Sequence, residues 1–349
     1  MKPSSRLAFA AFVLCTMLAG CAMDPPLPPP DPIETAVKPT KDSVLRSIAM
    51  DRALEDRILA LNPDRISEAD VADTLSKAPA PHIMLLHGGV YPVHVMMEST
   101  GKFLVKMGYP ESRIRNPPDG RWSYSPYEDS THLAGLLAWY YEHEGVRPMM
   151  IGHSQGGIQA VKILYDLAGQ WGKSLPVFNP YTQSVLDRTT IVDPLTGVDR
   201  PVVGVVLSLT STVGAGGMTL FMPNQWSMLD KMYTIPDSVV EYTGYAMDLD
   251  PIGWKGTYNA NGTAVVRNVQ LPFGYNHLTT PYVDPLAVDK AARDWINAYN
   301  PAGPNPDPPQ GSFGYGVFWA ADVWWDVKKH WALEAQRLIR AKRAALGSS

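Results

Sequence analysis

The sequence has little cysteine and no surplus of positive charge. Its 349 residues contain two cysteines, Cys15 and Cys21, both near the start of the sequence. The rest of the chain has no cysteine to form a disulfide, so its fold must be held by burial of apolar side chains. Lysine and arginine total 30 against 34 aspartates and glutamates, a formal net charge of −4. Without a basic surplus to neutralise a phosphate backbone, this composition argues against a nucleic-acid binder.

Long apolar runs are also scarce. The run from Leu7 to Leu18 is too short to predict a membrane-spanning helix. It follows Lys2 and Arg6, an order that is typical of a secretory signal. We therefore interpret residues 1–20 as a signal peptide and expect the chain to be exported.

The end of this segment, Leu18-Ala19-Gly20-Cys21, resembles the lipobox of bacterial lipoproteins. The resemblance implies that Cys21 is lipidated and anchors the protein to the cell envelope, whereas an ordinary signal peptide with a chance cysteine is the alternative. Ala22 after the cysteine is similar to the outer-membrane sorting pattern, if the host is Gram-negative. The prolines of residues 22–40 favour extended polyproline II and predict a semi-rigid tether.

Beyond the tether, the composition is globular, and after Pro81 short apolar runs alternate with helical patterns. The patterns predict strands at 82–89, 112–116, 148–154, 201–209, 239–247 and 263–271. They predict helices at 93–109, 129–145 and 287–299. This alternation indicates an α/β protein with a mostly parallel central sheet and helices on both faces.

Residues 41–300 are predicted to form one α/β domain, with its core at about 80–300. Two helices are expected between residues 41 and 78, the second opened by Ser67 in a capping box. Long segments rich in glycine, proline, methionine and aromatic residues are expected to cover the strand ends as a cap or lid, at about 170–200 and 211–238.

Residues 301–349 are predicted to contain a Pro/Gly-rich loop and a C-terminal amphipathic helix. The helix has an apolar stripe at helical spacing, formed by Trp324, Val327, Trp331 and Leu338. Packing of this stripe on the domain is the preferred interpretation. An interfacial helix that leans on a membrane is the alternative.

The segment Gly152-His153-Ser154-Gln155-Gly156 stands between a strand pattern and a helical pattern. A serine on a sharp strand-to-helix turn has strained backbone angles, and glycines two residues before and after it remove Cβ atoms that would collide. Ser154 is therefore a candidate nucleophile. The spacing also arises by chance in unrelated chains, so the interpretation depends on this strand-and-helix context.

With that context, the sequence resembles the α/β-hydrolase superfamily, in particular bacterial lipases and esterases, whose turn commonly reads G-H-S-x-G. The resemblance covers about residues 80–300 and implies the α/β-hydrolase fold. Upstream, His87-Gly88-Gly89 matches the H-G motif of the family's oxyanion loop, although a plain strand-ending turn is the alternative. By that match, the backbone N–H groups of Gly89 and Gln155 are implied as oxyanion-hole donors.

The family order of nucleophile, acid and histidine requires a base after Ser154. Two histidines qualify, His277 and His330. His330 falls in a helical pattern beside two lysines, where we expect an exposed surface residue. His277 falls in a polar loop after the last predicted strand, where the family places its base, so it is the candidate.

The family acid lies after the penultimate strand, in this chain in the segment that contains Asp248 and Asp250. Asp250, followed by Pro251, is more similar to the family turn, and Asp248, which is nearer the end of the predicted strand, remains open as the alternate acid. Asp237 is a weaker third choice.

The resemblance implies a serine hydrolase that cleaves carboxylic esters through an acyl-enzyme on Ser154, with no cofactor. Acyl transfer, thioester cleavage and amide cleavage use the same three groups and stay open. A non-catalytic envelope lipoprotein with a hydrolase fold is the rival of another class. No metal is expected, because Asp248 and Asp250 alone lack the six to eight oxygen ligands of calcium. The expected partners are a small-molecule or lipid ester and, through the N-terminal lipid, a membrane; the oligomeric state stays open.

Overall fold

A computed structural model describes residues 50–90, 93–217, 221–248, 250–253 and 256–346. Its centre is a five-stranded sheet in the order β1-β2-β7-β9-β11, in which every neighbouring pair is parallel. Its strands are β1 (Ile83–Leu86), β2 (Met149–His153), β7 (Leu207–Val213), β9 (Val239–Ala246) and β11 (Val265–Gln270). Shorter strands pair outside it: β3 (Phe178–Asn179), β4 (Ser184–Val185), β5 (Thr190–Val192), β6 (Asp199–Pro201), β8 (Thr234–Ile235) and β10 (Asn259–Ala260).

Helices cover both faces of the sheet, as the alternating sequence pattern predicts. The α-helices are α1 (Arg52–Ala60), α2 (Glu68–Asp73), α3 (His94–Lys106), α4 (Ser130–Glu144), α5 (Gln155–Leu167), α6 (Lys290–Ala298) and α7 (Val317–Leu346). Side chains alternate along each strand, so Ile83 and Leu85 of β1 join one apolar cluster while Met84 and Leu86 join the other. The first cluster packs against α3, α6 and α7, and the second packs against α4 and α5.

The last helix, α7, lies against the sheet and is buried along most of its length. Its stripe of Trp324, Val327, Trp331 and Leu338 is fully buried. The expectation that His330 is exposed is wrong: its side chain is 1% exposed and its Nε2 lies 3.1 Å from Glu241 Oε2 on β9. A helix packed on a sheet buries polar positions beside its apolar stripe, and these must then find partners.

The first N-terminal helix, α1, packs beside α7. Leu54 and Ile58 of α1 form a small apolar cluster with Ala335 and Ile339. The predicted capping box at α2 is confirmed, because Ser67 Oγ accepts from the backbone N–H of Asp70, whose carboxylate accepts in turn from the backbone N–H of Ser67. This reciprocal pair satisfies N–H groups that a helix start otherwise leaves unpaired.

Two strand predictions are wrong in position. The region predicted as a strand at 112–116 instead contains a 3-10 turn (Glu111–Arg113) followed by a bend. At the edge of the sheet formed by β1, Tyr124 makes an isolated bridge to Leu86. The strand expected at 201–209 lies at 207–213, because Gly204 turns the chain with φ of +95°. Residues 211–213 therefore belong to a central strand and not to the expected cap segment 211–238.

The expected cap segment 170–200 contains most of two antiparallel hairpins, β3–β4 and β5–β6, outside the main sheet. The predicted signal peptide, Cys21 and the tether at 22–40 lie outside the described residues. Among the helices that are described, none is long and apolar enough to cross a membrane.

Candidate active site

The predicted site residues meet at the carboxyl-terminal edge of the parallel sheet. Ser154 directly follows β2, and its amide donates to the carbonyl oxygen of Val213, the last residue of β7. His277 comes from the segment after β11, and Asp250 from the segment after β9. Because the carboxyl ends of parallel strands share one edge, residues far apart in the sequence converge there.

Ser154 occupies a strained turn. Its backbone has φ of 56° and ψ of −125°, and within the described chain Gln183 is the one other non-glycine residue with positive φ. Side chains other than glycine rarely adopt such a φ, and residues that do so cluster at functional sites. The turn ends β2 and begins α5 at once, so the hydroxyl stands at the first turn of a helix.

The glycines of the motif have a steric reason. A Cβ on Gly152 would lie 2.7 Å from the carbonyl oxygen of Gly156, and one on Gly156 would collide with the carbonyl oxygens of Leu86 and His87. Both contacts are with backbone, which has little freedom to move. Glycine at these positions therefore lets β1, β2 and α5 approach closely enough to form the turn.

Ser154, His277 and Asp250 form a continuous chain of hydrogen bonds. His277 Nε2 lies 2.8 Å from Ser154 Oγ, and His277 Nδ1 lies 2.8 Å from Asp250 Oδ2. The His277 side chain is 5% exposed and that of Asp250 is 2% exposed, whereas Ser154 is partly open to solvent. This arrangement can move a proton from the serine hydroxyl to an imidazole that is oriented by a carboxylate.

Asp250 is held in its charged form. Burial alone would raise the pKa of this carboxyl, but the hydrogen bond and charge of His277 and the backbone N–H groups of Gly253 and Ile252 outweigh it, so the pKa is lowered. Asp250 Oδ1 accepts from those N–H groups at 2.7 and 2.9 Å. The two carboxylate oxygens are thus divided between the loop and the imidazole.

The other two acid candidates lie elsewhere. Asp248 is exposed at the end of β9, and Asp250 is the aspartate whose carboxylate contacts the His277 ring. Asp237 accepts hydrogen bonds from the backbone of Thr263 and Ala264, just before β11. It therefore joins two loops at the opposite end of β9.

Two glycines that the sequence analysis did not single out make room for the acid and the histidine. Gly214 follows β7 with φ of +63°, and a Cβ there would lie 2.8 Å from His277 Nδ1 and 3.1 Å from Asp250 Oδ2. A Cβ on Gly253 would collide with Asp250 Oδ2. Sequence reasoning had no signal for Gly214, because the predicted strand ends at residue 209, whereas the observed β7 ends at Val213, directly before this glycine.

Gly89 and Gln155, the two predicted oxyanion donors, lie next to each other. A Cβ on Gly89 would overlap Gln155 Oε1, and the hydroxyl of Tyr127 donates to the Gly89 carbonyl at 3.2 Å. Gln155 opens α5, where the first N–H groups of a helix have no intrahelical partner. The backbone N–H groups of a helix start suit a developing negative charge beside Ser154.

A short 3-10 segment (Pro223–Met228) is fastened to the start of α5. Gln155 Nε2 donates to Asn224 Oδ1 at 3.3 Å, and Gln225 Nε2 donates to the Gln155 carbonyl at 3.0 Å. Lys162 Nζ donates to the Asn224 carbonyl at 3.1 Å. The expected cap region thus contacts the predicted oxyanion residue directly.

Large apolar side chains are exposed on the segments that contact the site. Tyr127, Phe221, Trp226 and Leu278 are between 47% and 61% exposed. Tyr127 bonds to the Gly89 carbonyl, Leu278 follows the histidine, and the other two belong to or adjoin the fastened segment. Tyr127 and Leu278 are thus exposed apolar side chains directly beside predicted site residues.

His153, inside the motif, was not singled out by the sequence analysis. Its side chain is fully buried, and its Nε2 lies 2.7 Å from the backbone carbonyl oxygen of His277. Burial, together with the charge of His277, lowers the pKa of His153 to about 3, so the ring is neutral at ordinary pH. Because a carbonyl only accepts, Nε2 carries the proton and Nδ1 does not.

A cavity of about 370 Å³ lies between α4 and the β3–β4 hairpin, with Tyr124, His132 and Phe178 in its wall. Neither Ser154 nor His277 belongs to its lining, so it is separate from the site. Within the described ranges, no group of three histidines, cysteines or acids is placed to hold a metal ion.

No protein-family model matches this chain, and no curated protein matches it either. Function is therefore inferred from the geometry of the site.

Proposed function

We propose that this protein is a serine hydrolase with an α/β-hydrolase fold that cleaves carboxylic esters. The observation that carries the proposal is the pair of 2.8 Å contacts that join Ser154, His277 and Asp250 at a strained strand-to-helix turn. The parallel sheet with helices on both faces supports the fold assignment. A binding module would have no chemical reason to align these three groups.

The proposed mechanism uses the order in which the three side chains contact one another, Ser154 to His277 to Asp250. His277 Nε2 takes the Ser154 proton as Oγ attacks the ester carbonyl carbon, and it returns that proton to the leaving alcohol. Asp250 holds the ring by Nδ1 and stabilises the imidazolium that forms. Water, activated by the same imidazole, then attacks the acyl-serine and releases the acid.

The oxyanion is assigned to the backbone N–H groups of Gly89 and Gln155. Charge develops on the carbonyl oxygen in the tetrahedral intermediate, and loss of one such donor costs typically about 3 to 4 kcal/mol of activation free energy. The position of Gly89 against Gln155 supports this assignment. A Cβ at this position would displace the end of the Gln155 side chain from where it lies.

The exposed apolar side chains near the site support an ester with an apolar portion. The positions of Tyr127 beside Gly89 and of Leu278 beside His277 suit contacts with an acyl or alkyl chain whose carbonyl lies at Ser154. We further propose that Cys21 carries a lipid and holds the enzyme on the cell envelope, on the outer membrane if the host is Gram-negative, through the 22–40 tether. This proposal is based on the sequence alone.

A fluorophosphonate probe tests the proposal, because it reacts covalently with an activated serine. Wild-type protein should be labelled, and Ser154→Ala should not. Ser227→Ala is the matched control, since Ser227 is an exposed serine in the neighbouring 223–228 segment and should leave labelling unchanged. Folded wild-type protein that resists labelling would refute the hydrolase proposal. A panel of esters of increasing chain length then measures the acyl preference.

A further inference from the structure

His153, the buried histidine inside the motif, links the strand before Ser154 to the loop that carries His277. His153 is the last residue of β2, directly before Ser154, and its register partner on β7 is Val213. Its Nε2 donates to the carbonyl of His277, a residue 124 positions further along the chain. One side chain on the central sheet is therefore bonded to the backbone of the proposed base.

The loop that carries His277 has mainly local hydrogen bonds near that residue. Asn276 Oδ1 accepts from the backbone N–H groups of Leu278 and Thr279, which are internal to the loop. The bond from His153 instead links the His277 backbone to the sheet. It fixes the atoms from which the imidazole projects toward Ser154.

We propose that His153 is a positioning residue, which holds the backbone of His277 so that the imidazole stays aligned between Ser154 and Asp250. The proposal rests on the proposed function. A positioning group has large effects because small displacements of a base from its reaction partner reduce the rate strongly.

The neutral state of His153 fits this role. The centroids of the two imidazole rings are 4.9 Å apart, and His277 must become a cation during proton transfer. A positive charge on His153 at that distance would oppose the cation. Burial keeps His153 uncharged by lowering its pKa to about 3. A neutral donor thus holds the loop without opposing the chemistry.

The bond from Nε2 fixes the tautomer of His153 and leaves Nδ1 as an acceptor. Nδ1 is buried without a hydrogen-bond partner, and a Cβ placed on Gly88 would lie 3.4 Å from it. A buried acceptor without a hydrogen-bond partner lowers stability. In His153 this cost accompanies the bond from Nε2 to the His277 carbonyl, which the proposed role requires.

Variants of the full chain test the proposal. His153→Leu removes the donor, His153→Gln places an amide donor at a similar reach, and His82→Leu is the matched control. His82 is also a buried histidine, 1% exposed, and burial also lowers its pKa to about 3, but it stacks on Tyr140 away from the site.

We expect His153→Leu to lower kcat by about 10- to 100-fold and to change KM by less than about threefold, because alignment is lost while binding is kept. The proton between His277 Nδ1 and Asp250, observed by NMR in the resting protein, should shift or broaden. His153→Gln should recover most of both signals, and His82→Leu should leave both unchanged. If His153→Leu does not fold, His153→Asn, whose amide is too short to reach the carbonyl, replaces it.

A kcat and a proton resonance that stay at wild-type values in His153→Leu would overturn the proposal. Equal losses in His153→Leu and His153→Gln, or the same loss in His82→Leu, would also overturn it, because they would indicate packing alone. Failure of the proposed function is distinguishable: wild-type protein would then not react with the fluorophosphonate, while the NMR comparison would still decide the role of His153.

Discussion

Two carboxylate–histidine pairs in this chain are built alike. Asp250 contacts His277 at 2.8 Å, and Glu241 contacts His330 at 3.1 Å. All four residues are less than 9% exposed. In both pairs the carboxyl pKa is lowered, because hydrogen bonds from the partners outweigh the opposing effect of burial.

The surroundings of the two pairs differ. The second ring nitrogen of His277 reaches the hydroxyl of Ser154 on a strained turn at the open edge of the sheet. The carboxylate of Glu241 is instead shared with Lys329, whose Nζ lies 2.7 Å away, under helix α7. A buried carboxylate–histidine pair therefore does not by itself indicate catalysis. It suits catalysis where the second ring nitrogen contacts an accessible nucleophile.

The largest expected effect is on kcat, and it should differ between the same substitution at His277 and at His330. His277→Gln should lower kcat by about 10⁴-fold or more, since glutamine cannot accept the serine proton. The melting temperature should change little. His330→Gln should keep the kcat of wild type per folded molecule. Ester turnover and thermal melts of both variants measure this, and a His277→Gln enzyme within tenfold of wild type would contradict the assignment.

The next largest effect is expected from substitution of the proposed acid. Asp250→Asn should lower kcat by about 10³- to 10⁴-fold, because an amide no longer holds the imidazole in the required tautomer. Asp248→Asn, the same change on the exposed neighbour, should stay within about twofold of wild type. Steady-state kinetics with one ester compares them, and the reverse ranking would reassign the acid.

The second pair should matter for stability. Glu241→Gln leaves Lys329 and His330 without their buried counter-charge, so the free energy of unfolding should fall by about 3 kcal/mol. Activity per folded molecule should be unchanged. Urea denaturation measures the first and active-site titration the second. A fall in kcat at unchanged stability would mean that this pair belongs to the catalytic machinery.

The same pair predicts a pH dependence. The pKa of Glu241 is about 2 in the folded protein against an ordinary value of 4.5, so its stabilising contribution is complete above pH 4.5 and is lost as the pH falls toward 2. In Glu241→Gln this part of the loss of stability at low pH should be absent. Unfolding free energies of both proteins across that window test it, and parallel curves would disprove the expected linkage.

The smallest effect is expected at the segment fastened to α5. Asn224→Ala removes the bonds to Gln155 Nε2 and to the Pro126 carbonyl. Because these bonds are near the surface, stability should fall by less than about 1 kcal/mol, and KM should rise by about two- to threefold. Asn261→Ala, at an exposed asparagine, is the control and should change neither. An equal KM in all three proteins would show that the segment does not shape substrate binding.

The sequence was informative where local patterns carry the signal. The glycine spacing located the turn at Ser154 because backbone sterics require glycine there, and β1, β2 and β9 follow from buried apolar runs. Residues 211–213 begin a segment rich in glycine, proline, methionine and aromatic residues, which predicts a cap, although their own serine, threonine and valine side chains fit a buried strand.

Long-range pairing was the part that could not be read from the sequence. His330 was expected at the surface because lysines precede it, and the partner that makes its burial possible, Glu241, is 89 residues away. The choice between Asp248 and Asp250 depended on the course of a loop after β9. The bond from His153 to the His277 carbonyl depends on the end of β2 meeting the loop after β11, which no local pattern records.

The parallel sheet also has a consequence for how the chain folds. Ser154 and His277 are separated by 123 residues, and the strands β7, β9 and β11 of the parallel sheet lie between them in the chain. Parallel pairing over such distances is slow, because loop-closure entropy is lost before the contacts form. We therefore expect the contact between Ser154 and His277 to form late in folding, so that a partly folded chain would lack the proposed activated serine.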